Sequence, residues 1–199
     1  GGFNTNICRL AKNYFLKVLK EGKTLKIITI GSKGHDQLKR EYSKYIVQKL
    51  SFKDKKKISF NEANDVGKII IDLFDKNEFD KCVLFYNNFK NVMTQIPQAQ
   101  QIIPAEKKEN SKKTDEIFYE FEPEEDEILE DLLPKNISIQ VFKAFLENSA
   151  SEQGSRMTAM DSATRNAGDL VKSLTIVYNR SRQAAITKEL IEIISGAES

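Results

Sequence analysis

The sequence predicts an α/β domain followed by one long C-terminal helix that needs a partner surface. Through residue 133 the apolar periodicity alternates between helix and strand, which is typical of α/β folds. After Pro134 there is no proline, and apolar or small residues recur three or four apart as far as Ile194. As one helix, residues 135–194 would measure about 90 Å, whereas a compact chain of 199 residues has a radius of gyration of about 16 Å. Such a helix must project, and its apolar stripe must be covered by another surface.

Composition excludes several classes of function. Hydrophobic residues make up 40% and charged residues 30%, as in a soluble protein, and no apolar run approaches the roughly 20 residues of a membrane span. The start does not resemble a signal or transit peptide. The net charge of +2 divides into +11 for residues 1–57, −10 for 58–131 and +1 for 132–199. The basic lysines are scattered and no aromatic stacking motif accompanies them, so no nucleic-acid partner is expected.

The first elements are an amphipathic helix and a strand. Residues 5–20 place apolar side chains on one side and lysines on the other, and Gly22 ends the helix. Residues 25–30 form a β-branched strand that enters the turn Gly31-Ser32-Lys33-Gly34. Neither G-x-x-x-x-G-K-[ST] nor G-x-G-x-x-G is present, so this loop is interpreted as a turn and no bound nucleotide is expected.

Two more amphipathic helices are predicted before the second strand. Apolar residues at helical spacing mark residues 35–50 and 61–77. His35 would lie near a helix start, outside any recognised catalytic motif. Cys8 and Cys82 stand far apart and fit no ligand or redox spacing, which predicts two reduced, buried thiols and no metal site.

Two strands follow. Residues 81–86 are apolar almost throughout, which indicates a strand buried on both faces. Residues 92–103 alternate around Pro97, which predicts an edge strand bent at the proline.

The charged region before Pro134 closes the α/β domain. Residues 105–116 are nearly free of apolar side chains and predict a mobile loop, and residues 117–122 alternate as a strand. Residues 124–133 form an acidic helix stopped by Pro134, with carboxylates that face solvent rather than a metal ion. We therefore expect an α/β foot domain over residues 1–133 and the long helix over residues 134–199.

The middle of the long helix is rich in small side chains. Gly154 and Gly168 each cost about 1 kcal/mol relative to alanine, a cost that is rationalised if the helix must be slim. A slim rod suits a shaft. The alternative is an ordinary long core helix rich in alanine and serine.

The end of the helix resembles a known family. The signature I-T-x-E-L-x-E-I-x-x-G-A is matched by Ile186, Thr187, Glu189, Leu190, Glu192, Ile193, Gly196 and Ala197. Residues 151–160 and 163–168 fit the same family, as does Gly1-Gly2-Phe3-Asn4. On these residues the chain resembles the ATP synthase gamma subunit family over its whole length, most loosely in its middle third.

The resemblance implies a Rossmann-like open sheet domain with a long C-terminal helix that forms half of an antiparallel coiled-coil shaft. It implies the central-stalk rotor of a proton-translocating F-type ATP synthase, which transmits c-ring rotation to the catalytic beta subunits. No catalytic site, metal or cofactor of its own is implied. The implied partners are the alpha and beta subunits of the hexamer, the epsilon (or delta) subunit and the c-ring. The implied location is peripheral, on the cytoplasmic side of a bacterial inner membrane or the matrix side of the mitochondrial inner membrane.

The resemblance also implies roles for individual residues. The implied beta-subunit coupling contacts are Arg182, Gln183, Thr187, Glu189, Glu152 and Arg156. The implied foot segment facing the c-ring and epsilon is Tyr119, Glu120, Phe121, Glu122 and Pro123. The family's long N-terminal helix and most of the strand that ends at Gly1-Gly2 have no counterpart in this sequence. We therefore expect a truncated chain whose shaft helix lacks its natural mate.

Two other functions fit parts of the sequence. A small α/β nucleotide-binding enzyme or regulator with a coiled-coil interaction helix would bind ATP or NAD. A coiled-coil adaptor unrelated to energy coupling would carry the same long helix but would not support ATPase activity together with alpha and beta subunits.

Overall fold

A computed structural model describes residues 2–52, 58–105 and 125–197. Within these ranges the chain forms two units, Gly1–Ser155, here called the α/β unit, and Arg156–Ser199, here called the distal helix. The helices are α1 (Gly2–Lys20), α2 (Ser32–Tyr42), α3 (Phe60–Asp75) and α4 (Glu125–Ala197). The strands are β1 (Ile27–Ile30), β2 (Ile46–Leu50), β3 (Cys82–Asn91) and β4 (Thr94–Ile103). The predicted α/β fold with a long C-terminal helix is confirmed.

The strands of the described ranges form two sheets of two strands each. β1 and β2 are parallel, with Ile30 opposite Leu50. The predicted helix over residues 35–50 was wrong at its end, because α2 stops at Tyr42 and a 3₁₀ turn, Ser43–Tyr45, leads into β2. The β-branched pair Ile46-Val47 and the alternating burial along β2 explain the difference, since a strand accommodates both better than a helix does.

One core lies between α1, α2 and β1. Its buried members are Cys8, Ala11, Phe15, Ile27, Leu38 and Tyr42. Phe15 meets the rings of Tyr42 and Phe85 edge to face, with ring centres 5.4 and 5.8 Å apart. These aromatic pairs join α1 to α2 and to β3.

A second core lies between α3, β4 and the first part of α4. Its buried members are Ala63, Val66, Ile70, Ile102, Ile103 and Val141. At its centre α3 and α4 approach closely, since a Cβ added to Gly67 would lie 2.4 Å from Ser138 Oγ. The start of α3 is held by a capping box in which Ser59 N–H donates to Glu62 Oε2 at 2.7 Å.

The antiparallel pair β3–β4, here called the hairpin, includes Pro97 directly opposite Asn87. The proline therefore stands in a strand that pairs only with β3 among the described residues, as an edge strand allows. The two cysteines are unpaired and belong to different cores, Cys8 to the first and Cys82 to the edge of the second. Both strands were predicted; β3 continues to Asn91, five residues beyond the predicted end, and β4 begins at Thr94, two residues after the predicted start.

The helix α4 passes through Pro134, so the prediction that an acidic helix stops there was wrong. A proline removes one backbone donor and crowds the preceding turn, a cost that tertiary packing can offset. Here Ile137, Ser138 and Val141, which follow Pro134, pack against α3 and β4, and Ser138 Oγ donates to Pro134 O at 3.2 Å. The predicted loop at residues 105–116, apart from Ala105, and the predicted strand at 117–122 lie outside the described residues.

Candidate functional site

Five of the six predicted coupling residues lie on the distal helix, and four of them lie close together near its end: Arg182, Gln183, Thr187 and Glu189. All four are exposed. At about 100° per residue, Arg182 and Glu189 fall within about 20° of each other around the helix axis, and Gln183 and Thr187 within about 40°. The helix therefore carries two polar rows rather than one converging cluster.

An apolar stripe separates the two polar rows. Ile186, Leu190 and Ile193 fall between them around the helix axis. Their exposed fractions are 49%, 53% and 67%. Apolar side chains flanked by polar ones are the arrangement found in protein interfaces. We call this stripe with its two polar rows the coupling face.

The coupling face is one part of a longer stretch of exposed apolar side chains. Every residue from Arg156 to Gly196 is exposed. The large apolar side chains there, each 49 to 69% exposed, are Met157, Met160, Leu170, Val171, Leu174, Ile176, Val177, Tyr178, Ile186, Leu190, Ile191, Ile193 and Ile194. Exposed apolar surface of this extent marks a site of protein interaction.

Local hydrogen bonds support the distal helix without covering it. Thr187 Oγ1 donates to Gln183 O at 2.9 Å, and Lys188 Nζ lies 3.7 Å from Glu192 Oε1. Arg165 and Asp161 form an ion pair one turn apart. Such exposed pairs add little to the free energy of folding. Most of the stability of the distal helix must therefore come from a surface that packs against its apolar side chains.

The remaining predicted contacts lie elsewhere. Glu152 belongs to the α/β unit and Arg156 to the distal helix, four positions apart on one row of α4. The predicted foot residues Tyr119, Glu120, Phe121, Glu122 and Pro123 lie outside the described residues.

The structure also shows contacts that the sequence interpretation missed, between α4 and the hairpin. Ser151 Oγ donates to Asn87 O at 3.1 Å, and a Cβ on Gly154 would lie 3.2 Å from Phe89 Cε2. The small residues of this stretch were interpreted as slimness for a shaft. At Ser151 and Gly154 they instead admit the hairpin, whereas nothing lies within 4 Å of a Cβ on Gly168.

Of the predicted turn Gly31-Ser32-Lys33-Gly34, only Gly31 lies between β1 and α2, because Ser32 already begins the helix. Gly31 has φ of +94°, which favours glycine, and its N–H donates to Leu50 O at 2.8 Å. This backbone donor is therefore used by β2 and is not available to a phosphate. His35 Nδ1 lies 3.0 Å from Thr29 Oγ1, a contact that ties the start of α2 to β1.

One cavity of the α/β unit, about 330 Å³, lies between α3, the end of β4 and α4. Its lining is mostly apolar, with the carboxyl groups of Asp75 and Glu130 and no Lys or Arg among the described lining residues. Phosphates bind where cations or free N–H groups face them, so this lining does not favour a nucleotide. Among the described residues, no three His, Cys, Asp or Glu side chains are grouped to hold a metal ion.

Burial shifts the acidity of three side chains. It raises the pKa of the Cys8 thiol and raises the pKa of Cys82 to about 11. Burial, and to a lesser degree the Glu147 carboxylate, raises the pKa of Tyr86. Thiolate is the reactive form of cysteine, so none of these shifts suggests an activated nucleophile. No helix in the described part of the chain has the length and apolar character needed to cross a membrane.

The comparisons with known proteins agree on one family. A family model described as ATP synthase matches residues 1–199. The ATP synthase gamma chain of Pelagibacter ubique (strain HTCC1062) is 69% identical over 199 residues, covering 100% of this chain and 68% of that protein. The gamma chain of Rhizobium leguminosarum bv. trifolii (strain WSM2304) is 53% identical over 203 residues, covering 100% and 69%. This chain spans about two thirds of the length of these relatives.

A solved structure shares the fold. The central stalk and c-ring of the Tetrahymena thermophila mitochondrial ATP synthase contains a chain that matches with a TM-score of 0.64 at 22% identity. The match covers 82% of this chain and 70% of that one.

Proposed function

The chain belongs to the ATP synthase gamma family, and from that premise we propose how its long helix acts in the rotor. As a gamma chain it is a subunit of the ATP synthase complex and part of the central stalk. We propose that the chain contributes no catalytic group and instead couples rotation of the c-ring to the catalytic beta subunits. The observation that carries this proposal is the uninterrupted exposure of residues 156–196 with their apolar side chains.

The proposed mechanism is differential contact. The coupling face differs from the rest of the helix circumference, so each orientation of the helix presents a different surface to each of three identical beta subunits. A ligand or partner shifts a conformational equilibrium only through a difference in interaction free energy between the states. A rotating asymmetric helix supplies such a difference to each beta subunit in turn.

The proposed roles of single residues follow the two polar rows. Arg182 and Gln183, one on each row, are proposed to meet polar groups of the beta subunits, with Thr187 and Glu189 on the same rows one and two turns further. A guanidinium group offers five N–H donors and suits carboxylate or backbone oxygen partners. Glu152 and Arg156 are proposed as further contacts nearer the α/β unit.

The remaining partners are proposed from the family. The α/β unit is proposed to form the foot, near the epsilon (or delta) subunit and the c-ring, with residues 119–123 as its contact. The division into a foot over 1–133 and a shaft over 134–199, with α4 as half of an antiparallel coiled coil, remains part of this proposal. The complex would be peripheral on the cytoplasmic side of a bacterial inner membrane, or on the matrix side in a mitochondrion.

The test is coupled ATP synthesis in an assembled complex that carries this chain. The double variant Arg182→Ala with Gln183→Ala should lower proton-driven synthesis several-fold while the chain keeps its helix content. Lys188→Ala is the matched control, since Lys188 pairs within the helix with Glu192 and lies on the side of the helix opposite the apolar stripe of the coupling face. Unchanged synthesis in the double variant would remove those two roles. Millimolar affinity of the isolated chain for ATP would instead favour a nucleotide-binding regulator.

A further inference from the structure

The outer edge of β3 is covered by side chains of α4. Asn87 N–H donates to Asn148 Oδ1 at 3.3 Å, and Asn87 O accepts from Ser151 Oγ at 3.1 Å. Phe89 N–H donates to Glu147 Oε2 at 3.0 Å. These backbone groups point away from β4 and would otherwise be an unpaired strand edge. Among the described residues no strand pairs with this edge of β3, and side chains of α4 form hydrogen bonds with it instead.

The pairing of β3 with β4 explains why Asn87 has both backbone groups available. Asn87 lies opposite Pro97, which has no N–H to donate. Because the N–H and C=O of Asn87 both face α4, this pair requires no ladder bond from the proline. Asn87 therefore lies opposite Pro97 on one side of β3 and forms hydrogen bonds with α4 on the other side.

The contact is buried and directional. Ser151 is 0% exposed and Asn87 is 2% exposed. A second chain of hydrogen bonds runs from Tyr86 through Gln100 and Gln140 to Asn136, with distances of 2.7, 3.0 and 3.1 Å. A buried polar group that loses its partner is costly, so these hydrogen bonds favour one register of the helix on the hairpin.

Gly154 fixes how closely the hairpin approaches. A Cβ there would lie 3.2 Å from Phe89 Cε2 and 3.4 Å from Val92 Cα. Ser151 and Gly154 are three positions apart, so both face the hairpin from one side of the helix. A slip of the helix by one residue would turn this side by about 100° and would separate Ser151 from Asn87 O.

We propose that Asn87, Ser151 and Gly154 are positioning residues that lock the rotational register of α4 on the hairpin, so that torque on the helix is carried to the α/β unit without slip. The proposal rests on the proposed rotor function. It assigns a mechanical role to a contact within the α/β unit, distinct from the coupling face. The hydrogen bonds of Asn148 and Glu147 support the same register on either side of Ser151.

The first test is a coupling ratio in an assembled, membrane-bound complex that carries this chain. Ser151→Ala should lower the number of protons pumped per ATP hydrolysed several-fold, because the helix can turn against the hairpin, while hydrolysis itself continues. Ser149→Ala, at an exposed position of the same helix, is the matched control. Ser151→Thr keeps the hydroxyl group and should restore part of the ratio. If Ser151→Ala lowers only the melting temperature and leaves the ratio of protons pumped to ATP hydrolysed unchanged, the Ser151–Asn87 contact stabilises the fold but does not carry torque, and the proposal fails.

The second test is a cross-link between the hairpin and the helix. The 3.4 Å distance from a Gly154 Cβ to Val92 Cα places the two Cα atoms within about 5 Å, inside the range for a disulfide. In the variant Val92→Cys with Gly154→Cys, oxidation should leave turnover and the coupling ratio unchanged, because the two surfaces move as one body. The single-cysteine variants are the controls. Turnover that stops on oxidation and returns on reduction would overturn the proposal.

These tests distinguish failure of the proposed role of Asn87, Ser151 and Gly154 from failure of the proposed rotor function. If the unsubstituted chain supports no ATP-driven pumping together with its partner subunits, the rotor proposal fails. If that chain pumps, but Ser151→Ala has the same coupling ratio as Ser149→Ala or the oxidised double-cysteine variant loses turnover that the single-cysteine variants keep, only the proposal for Asn87, Ser151 and Gly154 fails.

Discussion

Gly67→Ala tests the crossing of α3 and α4, on which the core of the α/β unit depends. In an open helix, Gly to Ala stabilises by about 1 kcal/mol. Here the new Cβ would lie 2.4 Å from Ser138 Oγ, 3.3 Å from its Cβ and 3.4 Å from its Cα. Overpacking costs about 1–3 kcal/mol, and displacing Ser138 adds about 1 kcal/mol for its hydrogen bonds to Asn64 and Pro134. We expect a net loss of about 1–3 kcal/mol in the free energy of unfolding.

The assay is urea denaturation followed by far-ultraviolet circular dichroism. Gly34→Ala is the matched control, because Gly34 is also helical and nothing lies within 4 Å of its Cβ position. It should be neutral or stabilise by up to about 1 kcal/mol. Adding Ser138→Ala removes the 2.4 Å contact, so the double variant should lose less than the sum of the two single losses. If Gly67→Ala is as stable as Gly34→Ala, the helices do not cross at Gly67.

Three further outcomes are expected. Burial raises the pKa of Cys82 to about 11, whereas an unfolded thiol titrates near about 8.5; the unfolded state then loses its proton first. The free energy of unfolding should therefore fall between about pH 8.5 and pH 11, and Cys82→Ala should make that fall smaller in a denaturation series, while Cys8 and Tyr86, whose pKa values burial also raises, still contribute to it; an equal fall in both proteins would contradict the burial. Ser59→Ala should cost about 1 kcal/mol by removing the cap of α3, and a loss near zero would argue against that cap. Leu174→Glu, at a position 58% exposed, should change the free energy of unfolding by less than about 0.5 kcal/mol yet weaken assembly with alpha and beta subunits, and normal assembly would exclude this position from the interface.

The sequence predicted those parts of the fold that depend on local periodicity. The long helix α4 was predicted because apolar residues at helical spacing continue for many turns. Strands and loops do not produce that pattern. The strand Cys82–Asn91 and its partner were recognised from apolar runs and from Pro97. The family resemblance, which rested on the signature from Ile186 to Ala197, is confirmed by the relatives.

Errors occurred where tertiary packing outweighs local preference. The helix predicted over residues 35–50 ended early, because the β-branched residues Ile46 and Val47 favour a strand and pair with β1 in a parallel sheet. Pro134 was taken as a stop, although α4 passes through it and the residues that follow pack against α3 and β4. The contact of Ser151 with Asn87 spans 64 positions in sequence, and a serine hydroxyl carries no signal for its partner at such a distance.

The roles of the coupling residues could be inferred only from the family signature. Arg182, Gln183, Thr187 and Glu189 make no contact within the chain that marks them as functional; their arrangement in two rows beside an apolar stripe appears once the helix is established. Single-sequence patterns contain no information about a partner surface, so such residues become visible through geometry and relatives together.

The most direct measurement is hydroxyl-radical footprinting of the chain before and after assembly with alpha and beta subunits. Met157, Met160 and Tyr178 of the distal helix are 62 to 66% exposed in the chain alone. If this helix is the shaft enclosed by the hexamer, oxidation of these side chains should fall several-fold on assembly, while Leu16 of α1, 49% exposed, keeps its rate. Unchanged oxidation of the distal helix in an assembled complex would contradict the account.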